Sequence, residues 1–362
     1  MDIGIPKQKR PFDYRVGLTP IGVRILTEHG HRCYVETNAG QGTGFDDERF
    51  RSAGAQIVYS TSELYGRADM ILSVSRPTPQ EFDLLHDGQI LVGFLHLAVS
   101  HPAKIDLLLQ RQITAIAYET IQSADGHLPV LYPISQIAGR MVPQVAAELL
   151  ENHQGGHGLL LGGVPGVPAA RVVVIGAGTV GASAARVFQA VGARVTVLDI
   201  DLRKLQALGE SCTGLQTVVA YDFNIAQVIR NADVVVGAAL VPGARTPQVL
   251  TRTMVQSMKP RSVIIDVAID QGGCAETSRP TSYQNPTYIA ENVIHYCVPN
   301  MTAVVARTTT HAFLNAAWPH ILRLADLGPE QALQDEELRR GLNMQRGQVV
   351  HPALRQALRV TP

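Results

Sequence analysis

Residues 171–201, with the sequence RVVVIGAGTVGASAARVFQAVGARVTVLDID, constrain the fold of this chain more than any other segment. An apolar strand pattern at 172–175 leads into a glycine-rich turn, and a helical pattern follows. A second strand pattern, from residue 194, ends at the acidic residue Asp199. This order of strand, glycine turn, helix, strand and acid predicts a Rossmann unit that binds a dinucleotide.

Each residue of the turn has a physical role in such a unit. Gly176 allows the tight turn, Gly178 lets the backbone approach a pyrophosphate, and Gly181 lets the helix pack closely on the strand. The N-terminus of the following helix presents unpaired N–H groups that can bind phosphate oxygens. The turn is therefore predicted to hold the phosphates of the dinucleotide.

The acid after the second strand bears on the choice of dinucleotide. Asp199 can accept hydrogen bonds from the adenosine ribose and would repel a 2′-phosphate, which favours NAD over NADP. Arg203 leaves the opposite preference open, because a nearby arginine can accommodate that phosphate.

Composition excludes several other classes of protein. The 362 residues contain 31 basic and 31 acidic side chains, which is not the charge of a nucleic-acid binder. Hydrophobic residues make up 46% of the chain, so wholesale disorder is excluded, and no apolar run reaches the ~18 residues of a membrane span. The N-terminus lacks the apolar segment of a signal peptide, and four widely spaced cysteines predict reduced thiols in a cytoplasmic protein.

Strand and helix patterns alternate along most of the chain, which predicts an α/β architecture with parallel sheets. The pattern LTPIGVRILTEHGH indicates a helix with Thr19 as N-cap, Pro20 as its first residue and Gly30 as its stop. A long helix is predicted over residues 135–151. The alternating His29, His31 and Cys33 have a spacing that could hold a metal, but no fourth ligand is evident, and no metal site is predicted.

Several further motifs together resemble the alanine dehydrogenase family, which includes the N-terminal part of proton-pumping transhydrogenase. The motifs are RVGLTP (15–20), AGQGTGF (39–45), GFLHLA (93–98), AIAYETIQ (115–122), PISQIAGR (133–140), GGVPGV (162–167), LVPGA (240–244), DVAIDQGGC (266–274), SRPT (278–281) and CVPNM (297–301). The resemblance extends from Met1 to about residue 325. The segments HLA, YET, GGVPGV, LVPG and DQGG resemble alanine dehydrogenase rather than the transhydrogenase branch.

The resemblance implies two Rossmann-like, doubly wound parallel-sheet domains separated by an active-site cleft. Residues 1–135 and 305–362 would form a discontinuous substrate domain, and residues 136–304 an NAD-binding domain. Long helices near 135–151 and 305–325 would cross between them. The implied reaction is the reversible, NAD-dependent conversion of L-alanine and water to pyruvate and ammonia. Members of the family are commonly homohexamers, so a homo-oligomer is expected.

Catalytic residues are predicted where strands end. His96 follows an apolar run, and its ordinary pKa of about 6.5 suits proton transfer near neutrality. It matches the catalytic histidine of the family, and Asp270 in IDQGG matches the acid that contacts the amine or the attacking water. Arg15 matches the arginine that binds the substrate carboxylate, a task suited to paired guanidinium donors. Asn300 is expected to contact nicotinamide or substrate.

One segment departs from the family pattern. Where relatives have Lys-Val-Lys-Glu-Pro, residues 73–77 read Ser-Val-Ser-Arg-Pro, so Ser75 occupies the place of a substrate-binding lysine. Arg76 is a candidate replacement cation. Since successive strand residues point to opposite faces, however, it cannot simply substitute. Two alternatives therefore remain open: an oxidoreductase of the same scaffold acting on another amino or imino acid, such as an opine-type enzyme, or a non-catalytic NAD(H)-binding regulatory protein.

Further residues match cofactor contacts of the family, although ordinary core packing explains the apolar ones equally well. Besides the glycines of the turn, Asp199 and Arg203, they are Ser135, Thr179, Val180, Ala239, Leu240, Val267, Ala268, Ile269, Arg279, Val298 and Met301.

Overall fold

The computed structural model describes residues 1–359, and the chain divides into two compact units. Unit 1 comprises Met1–Ile134, Pro242–Ala244 and the residues from Thr302 onward. Unit 2 comprises Ser135–Val241 and Arg245–Met301. The assignment of substrate to one unit and NAD to the other stays a prediction.

Strands and helices alternate through the described residues. The strands are β1 (Asp2–Ile5), β2 (Arg32–Glu36), β3 (Gln56–Val58), β4 (Met70–Ser75), β5 (Ile90–Phe94), β6 (Thr114–Ala117), β7 (Arg171–Ile175), β8 (Arg194–Asp199), β9 (Gln216–Val219), β10 (Val234–Gly237), β11 (Val263–Asp266), β12 (Thr287–Ala290), β13 (Val293–Tyr296), β14 (Leu342–Gln345) and β15 (Gln348–Val349). The α-helices are α1 (Pro20–Glu28), α2 (Asp47–Ser52), α3 (Thr61–Arg67), α4 (Pro79–Phe82), α5 (Pro102–Gln110), α6 (Leu131–Leu149), α7 (Thr179–Ala190), α8 (Leu202–Ser211), α9 (Asp222–Ile229), α10 (Arg252–Gln256), α11 (Ala306–Ala332), α12 (Glu336–Arg340) and α13 (Pro352–Arg359).

Unit 1 is built on an eight-stranded sheet in the order β15-β14-β6-β5-β4-β1-β2-β3. The six strands from β6 to β3 are parallel, and β14 and β15 add an antiparallel edge. Every residue of β4 and β5 is buried, as expected for parallel strands covered on both faces. The chain reverses its direction of growth between β1 and β4.

Unit 2 is built on a seven-stranded sheet in the order β12-β13-β11-β10-β7-β8-β9. All its neighbours are parallel except the hairpin of β12 and β13. Strand growth reverses between β7 and β10. In open α/β sheets, ligands bind beyond the carboxyl ends of the strands at such a reversal.

The doubly wound α/β class predicted from the sequence is confirmed, with differences in detail. Both sheets carry antiparallel edge strands, which the wholly parallel prediction omitted. Helix α1 begins at Pro20, and the Thr19 side chain accepts from the Gly22 amide as the predicted N-cap. The long helix predicted from residue 135 instead begins at Leu131 and ends at Leu149. None of the helices within residues 1–359 is both long and apolar enough to span a membrane.

Candidate active site

In unit 1, Arg15 is enclosed in a buried polar cluster. Its Nε and Nη2 donate to Oδ1 and Oδ2 of Asp13 at 2.8 and 2.7 Å, in the paired geometry that suits a guanidinium and a carboxylate. Nη2 also donates to Ser75 Oγ at 2.9 Å, and this hydroxyl donates to Asp13 Oδ2 at 2.6 Å. The structure thus brings together Arg15 and Ser75, which lie on the loop after β1 and at the end of β4, the two strands at the reversal.

Asp13 was not among the predicted site residues. Burial raises the pKa of this carboxyl, but the charge of Arg15 and hydrogen bonds from Arg15 and Ser75 outweigh that effect and hold the pKa below its ordinary value. Asp13 is therefore ionised at neutral pH. The sequence signal was an acid two residues before the arginine, a spacing that is common by chance.

His96 occupies a turn just beyond the end of β5. Its backbone is left-handed, with φ of 43° and ψ of 50°, and it precedes a short 3-10 turn at Leu97–Val99. A non-glycine residue in this conformation costs about 1–3 kcal/mol and persists only where its surroundings hold it. A strained backbone two residues beyond a strand end supports the candidate role predicted for His96.

Glu119 holds the amide side of that turn. Its Oε1 accepts from the His96 N–H at 2.6 Å and its Oε2 from the Leu95 N–H at 3.1 Å. Oε1 lies 4.0 Å from Nδ1 of the His96 ring, and Glu119 itself is 2% exposed. The YET motif contains this acid, but strand and motif reasoning gave it no role.

Arg76 lies on the carbonyl side of the same turn. Its Nη1 donates to the His96 carbonyl oxygen at 3.0 Å and to Ser100 Oγ at 2.8 Å. Arg76 and Ser75 are neighbours in sequence, yet Arg76 donates to the His96 turn, whereas the Ser75 hydroxyl contacts Asp13 and Arg15.

In unit 2, the predicted glycine turn connects β7 to α7. Gly176 has φ of 107°, and a Cβ there would lie 2.5 Å from the Ala238 carbonyl oxygen. A Cβ on Gly181 would lie 1.8 Å from the Gly176 oxygen, whereas one on Gly178 would meet open space. The N-cap residue of α7 is Gly178, which has no side chain to cap the helix. The turn is therefore tight on its inner side and open at the helix N-terminus, as a phosphate site requires.

Asp199 closes the other side of this turn. Its Oδ2 accepts from the Ala177 N–H at 2.6 Å, and its Oδ1 from the Asp201 N–H at 2.8 Å. Each carboxylate oxygen can accept a second hydrogen bond, so a role toward a ribose is retained. Arg203 is exposed and pairs with Asp201 through Nε and Nη2 at 3.2 and 3.3 Å.

Asp270 and Asn300 also meet in unit 2. Asp270 lies in a 3-10 turn, Val267–Gln271, which directly follows the end of β11 at Asp266. Both carboxylate oxygens of Asp270 accept from the Asn300 N–H, at 2.9 and 3.2 Å. Asn300 has a left-handed backbone, with φ of 53°. Two candidates thirty residues apart are thereby in contact.

Asp266 is a structural acid. Burial raises its pKa, and it accepts from Ser278 Oγ and from the backbone amides of Ala268, Cys274 and Ala275. It thus fixes the turn that carries Asp270, together with the predicted residues Val267, Ala268 and Ile269.

The remaining cofactor candidates fall into three environments. Ser135 precedes Gly139 by one turn of α6, and a Cβ on Gly139 would lie 2.4 Å from the Val180 oxygen, so this face of α6 packs on the start of α7. The Arg279 guanidinium stacks 4.0 Å from the centre of the Tyr288 ring. The others follow β10 or lie near the end of the unit, with Leu240 exposed, Ala239 half-buried, and Val298 and Met301 in the core.

Within residues 1–359, no group of three or more histidines, cysteines or acids is arranged to bind a metal ion. His29 and His31 both contact Asp326, at 3.1 and 2.9 Å.

The fold and the glycine turn define an α/β protein of the Rossmann class. Residues 4–138 match the N-terminal domain of the alanine dehydrogenase/PNT family and residues 142–352 match its C-terminal domain. The chain belongs to this family.

The chain has a higher sequence identity to two alanine dehydrogenases than to a transhydrogenase of the family. It is 46% identical to the alanine dehydrogenase of Mycobacterium tuberculosis over 96% of this chain and 94% of that protein. A solved L-alanine dehydrogenase superposes with a TM-score of 0.88 at 42% identity, covering 99% of each chain. The transhydrogenase of Sinorhizobium meliloti gives 0.77 at 23% identity, over 97% of this chain and 100% of that one, which shows the shared fold alone.

Proposed function

We propose that the protein catalyses the reversible oxidative deamination of L-alanine: L-alanine, NAD⁺ and water give pyruvate, ammonium, NADH and a proton. The observation that carries this proposal is the identity of 46% with an alanine dehydrogenase over nearly the whole chain. The candidate residues Arg15, His96 and Asp270 are all present: Arg15 lies on the loop after β1, His96 two residues beyond β5, and Asp270 in the turn after β11.

NAD is the proposed cofactor, and the residues present fit it. The open position beside Gly178 and the uncapped start of α7 suit a pyrophosphate, and Asp199 suits an unphosphorylated ribose. Thr179 and Val180 would donate backbone N–H groups to the phosphates. When bound, the nicotinamide supplies the acceptor for the hydride from the substrate carbon.

The substrate carboxylate is proposed to bind at Arg15. The guanidinium is 2% exposed and paired with Asp13, so a carboxylate must share it with Asp13 or displace that acid. Ser75, in place of the lysine of relatives, contributes a hydrogen bond but no charge. We therefore expect this chain to bind pyruvate more weakly than a relative that retains the lysine.

Proton transfer is proposed for His96 and Asp270. His96 would take a proton from the attacking water or the amine through Nε2, because its Nδ1 is buried. Asp270, held on the Asn300 amide, would orient the amine or the water. These roles supply general acid–base catalysis, which contributes typically 10²–10⁴-fold to a rate.

The serine at position 75 also bears on the two alternative functions, because each of them explains the missing lysine differently. If the pocket is rebuilt for a larger amino or imino acid, the missing lysine reflects that substrate, as in an opine-type enzyme. If the protein only binds NAD(H) as a regulator, the lysine is dispensable. A homohexamer in the cytoplasm is the further expectation that the family resemblance carries, and light scattering on the purified protein tests the oligomer.

A spectrophotometric panel separates these possibilities. Absorbance of NADH at ~340 nm is followed with L-alanine and NAD⁺, with pyruvate, ammonium and NADH, and with pyruvate plus a second amino acid in place of ammonium. Turnover with ammonium supports the proposal. Turnover only with the second amino acid supports the opine-type alternative, and NADH binding without any turnover supports the regulator.

A further inference from the structure

The backbone of His96 is held by hydrogen bonds at both its N–H and its carbonyl group. The Glu119 carboxylate accepts from its N–H at 2.6 Å, and Nη1 of Arg76 donates to its carbonyl oxygen at 3.0 Å. The same Nη1 donates to Ser100 Oγ at 2.8 Å, just after the 3-10 turn. The Glu119 carboxylate and the Arg76 guanidinium thus bind the two backbone polar groups of a residue whose conformation is left-handed.

The orientation of the imidazole depends on this backbone. Its Nδ1 is buried and has no hydrogen-bond partner within residues 1–359; the 4.0 Å separation from Glu119 exceeds hydrogen-bond distance. Because no hydrogen bond from the described residues fixes the ring, the conformation of the turn decides where the ring points.

The register of the sheet explains why Arg76 reaches this turn. Ser75 at the end of β4 is paired with Phe94 at the end of β5, so the residues that follow leave neighbouring strand ends. Alternation along a strand sends successive side chains to opposite sides. Ser75 accordingly contacts Asp13, and Arg76 contacts the turn of His96.

Arg76 is itself anchored through its backbone. Nε of Arg10 donates to the Arg76 carbonyl oxygen at 3.1 Å. The guanidinium therefore extends from a fixed point, which suits a group that must hold a strained turn.

We propose that Arg76 is a positioning residue that fixes the His96 turn and thereby aims the imidazole, and that it is not the replacement cation for the substrate carboxylate. This assignment rests on the proposed function, because it gives His96 the proton-transfer role. In this assignment Arg76, the cation of residues 73–77, serves proton transfer by positioning His96. Carboxylate binding is left to Arg15.

The kinetic test uses Arg76→Gln with pyruvate, ammonium and NADH. A misplaced catalytic group can cost about 10²-fold, so kcat is expected to fall roughly 10- to 100-fold, while KM for pyruvate and the Kd for NADH change little. Arg76→Lys is expected to recover part of kcat, because an ammonium can donate to the carbonyl but lacks the forked geometry. Arg51→Gln, the same change at an exposed arginine on α2, is the matched control and should behave as wild type.

Two kinetic results would overturn the assignment. A large rise in KM for pyruvate with kcat intact would mean that Arg76 holds the substrate. The second is an unchanged kcat for Arg76→Gln, which would mean that the His96 turn presents the imidazole correctly without the guanidinium.

A crystal structure of Arg76→Gln supplies a readout that needs no activity. The expected change is confined to His96 and the turn Leu97–Val99, with the Asp13, Arg15 and Ser75 cluster as before. An unaltered His96 turn overturns the positioning role, whatever the enzyme does. If the turn moves but wild type converts neither alanine nor pyruvate, the proposed function fails while the contact between Arg76 and the turn stands.

Discussion

The hydroxyl of Ser75 donates a 2.6 Å hydrogen bond to Oδ2 of Asp13, the carboxylate that also pairs with Arg15. The three buried groups together carry one positive and one negative charge. Their sum is zero, so the cluster attracts an incoming carboxylate less than it would with a second cation. A lysine at position 75 would face the same acid and compete with Arg15 for it.

Ser75→Lys is therefore expected to raise activity with pyruvate, ammonium and NADH. The ammonium would pair with Asp13 and release Arg15 donors toward the substrate carboxylate. Recovery of about 1.4 kcal/mol, the scale of one charge-assisted contact, corresponds to about tenfold in kcat/KM. Steady-state kinetics of wild type and variant measure the change.

Ser75→Met provides the control for size, because it adds a similar length of chain without charge. It should lower activity or leave it unchanged. A Ser75→Lys protein that folds, binds NADH and gains nothing on pyruvate would contradict the proposal that the serine weakens an alanine dehydrogenase.

The second prediction concerns the dinucleotide. Wild type should bind NADH more tightly than NADPH, because Asp199 would repel a 2′-phosphate. Asp199→Ala should weaken NADH binding and reduce the preference, and it also removes the acceptor for the Ala177 amide in the glycine turn. Fluorescence titration of both reduced dinucleotides gives the four dissociation constants.

Arg203→Ala tests the opposing interpretation of that region. Its guanidinium is exposed and paired with Asp201, so NADH affinity should change little. Wild-type protein that binds NADPH as tightly as NADH, and loses NADPH affinity on Arg203→Ala, would refute the assignment to Asp199.

The third prediction is that His96→Ala and Asp270→Asn each abolish turnover while NADH binding is retained. Asparagine at position 270 keeps an acceptor for the Asn300 amide but loses the charge. His96→Asn is the matched variant for the backbone, because asparagine tolerates the left-handed conformation better than alanine. It too should be inactive.

His153→Ala removes an exposed histidine of unit 2 and should retain full activity. Near-normal turnover in His96→Asn or Asp270→Asn would remove the corresponding residue from the mechanism. Loss of NADH binding in either would point to a cofactor role instead.

The glycine turn and the end of β8 were predictable because local backbone chemistry dictates them. Gly176 needs a positive φ and Gly181 a close approach to the preceding strand, and only glycine meets both demands. Strand β8 ends at the predicted acid, Asp199, whose carboxylate accepts a hydrogen bond from the Ala177 backbone amide in the same turn. Such features are encoded within about thirty neighbouring residues.

The partners of the site residues were not predictable in this way. Glu119 reaches His96 across 23 residues and Arg76 reaches it across 20, through pairing of β5 with its neighbours. The antiparallel edge of β14 and β15 likewise depends on contact with β6, more than two hundred residues earlier. Long-range pairing of this kind leaves no local pattern in one sequence.

The last prediction uses the depressed pKa of Asp13. Burial raises the pKa of this carboxyl, but Arg15 and Ser75 lower it further than burial raises it, so the folded-state pKa lies below the unfolded value of about 4. The ion pair therefore stabilises the fold fully above that value, and the contribution is lost as pH falls through the folded-state pKa. Asp13→Asn, which leaves Arg15 as an unpaired buried cation, should lower the free energy of unfolding at pH 7 by about 3–5 kcal/mol. Urea titrations of both proteins at several pH values should give a constant difference above about pH 5 and a shrinking one below about pH 4. Asp87→Asn, at an exposed turn carboxylate, should change stability little at any pH. A difference that stays constant down to the most acidic condition would show that Asp13 is not the group that titrates.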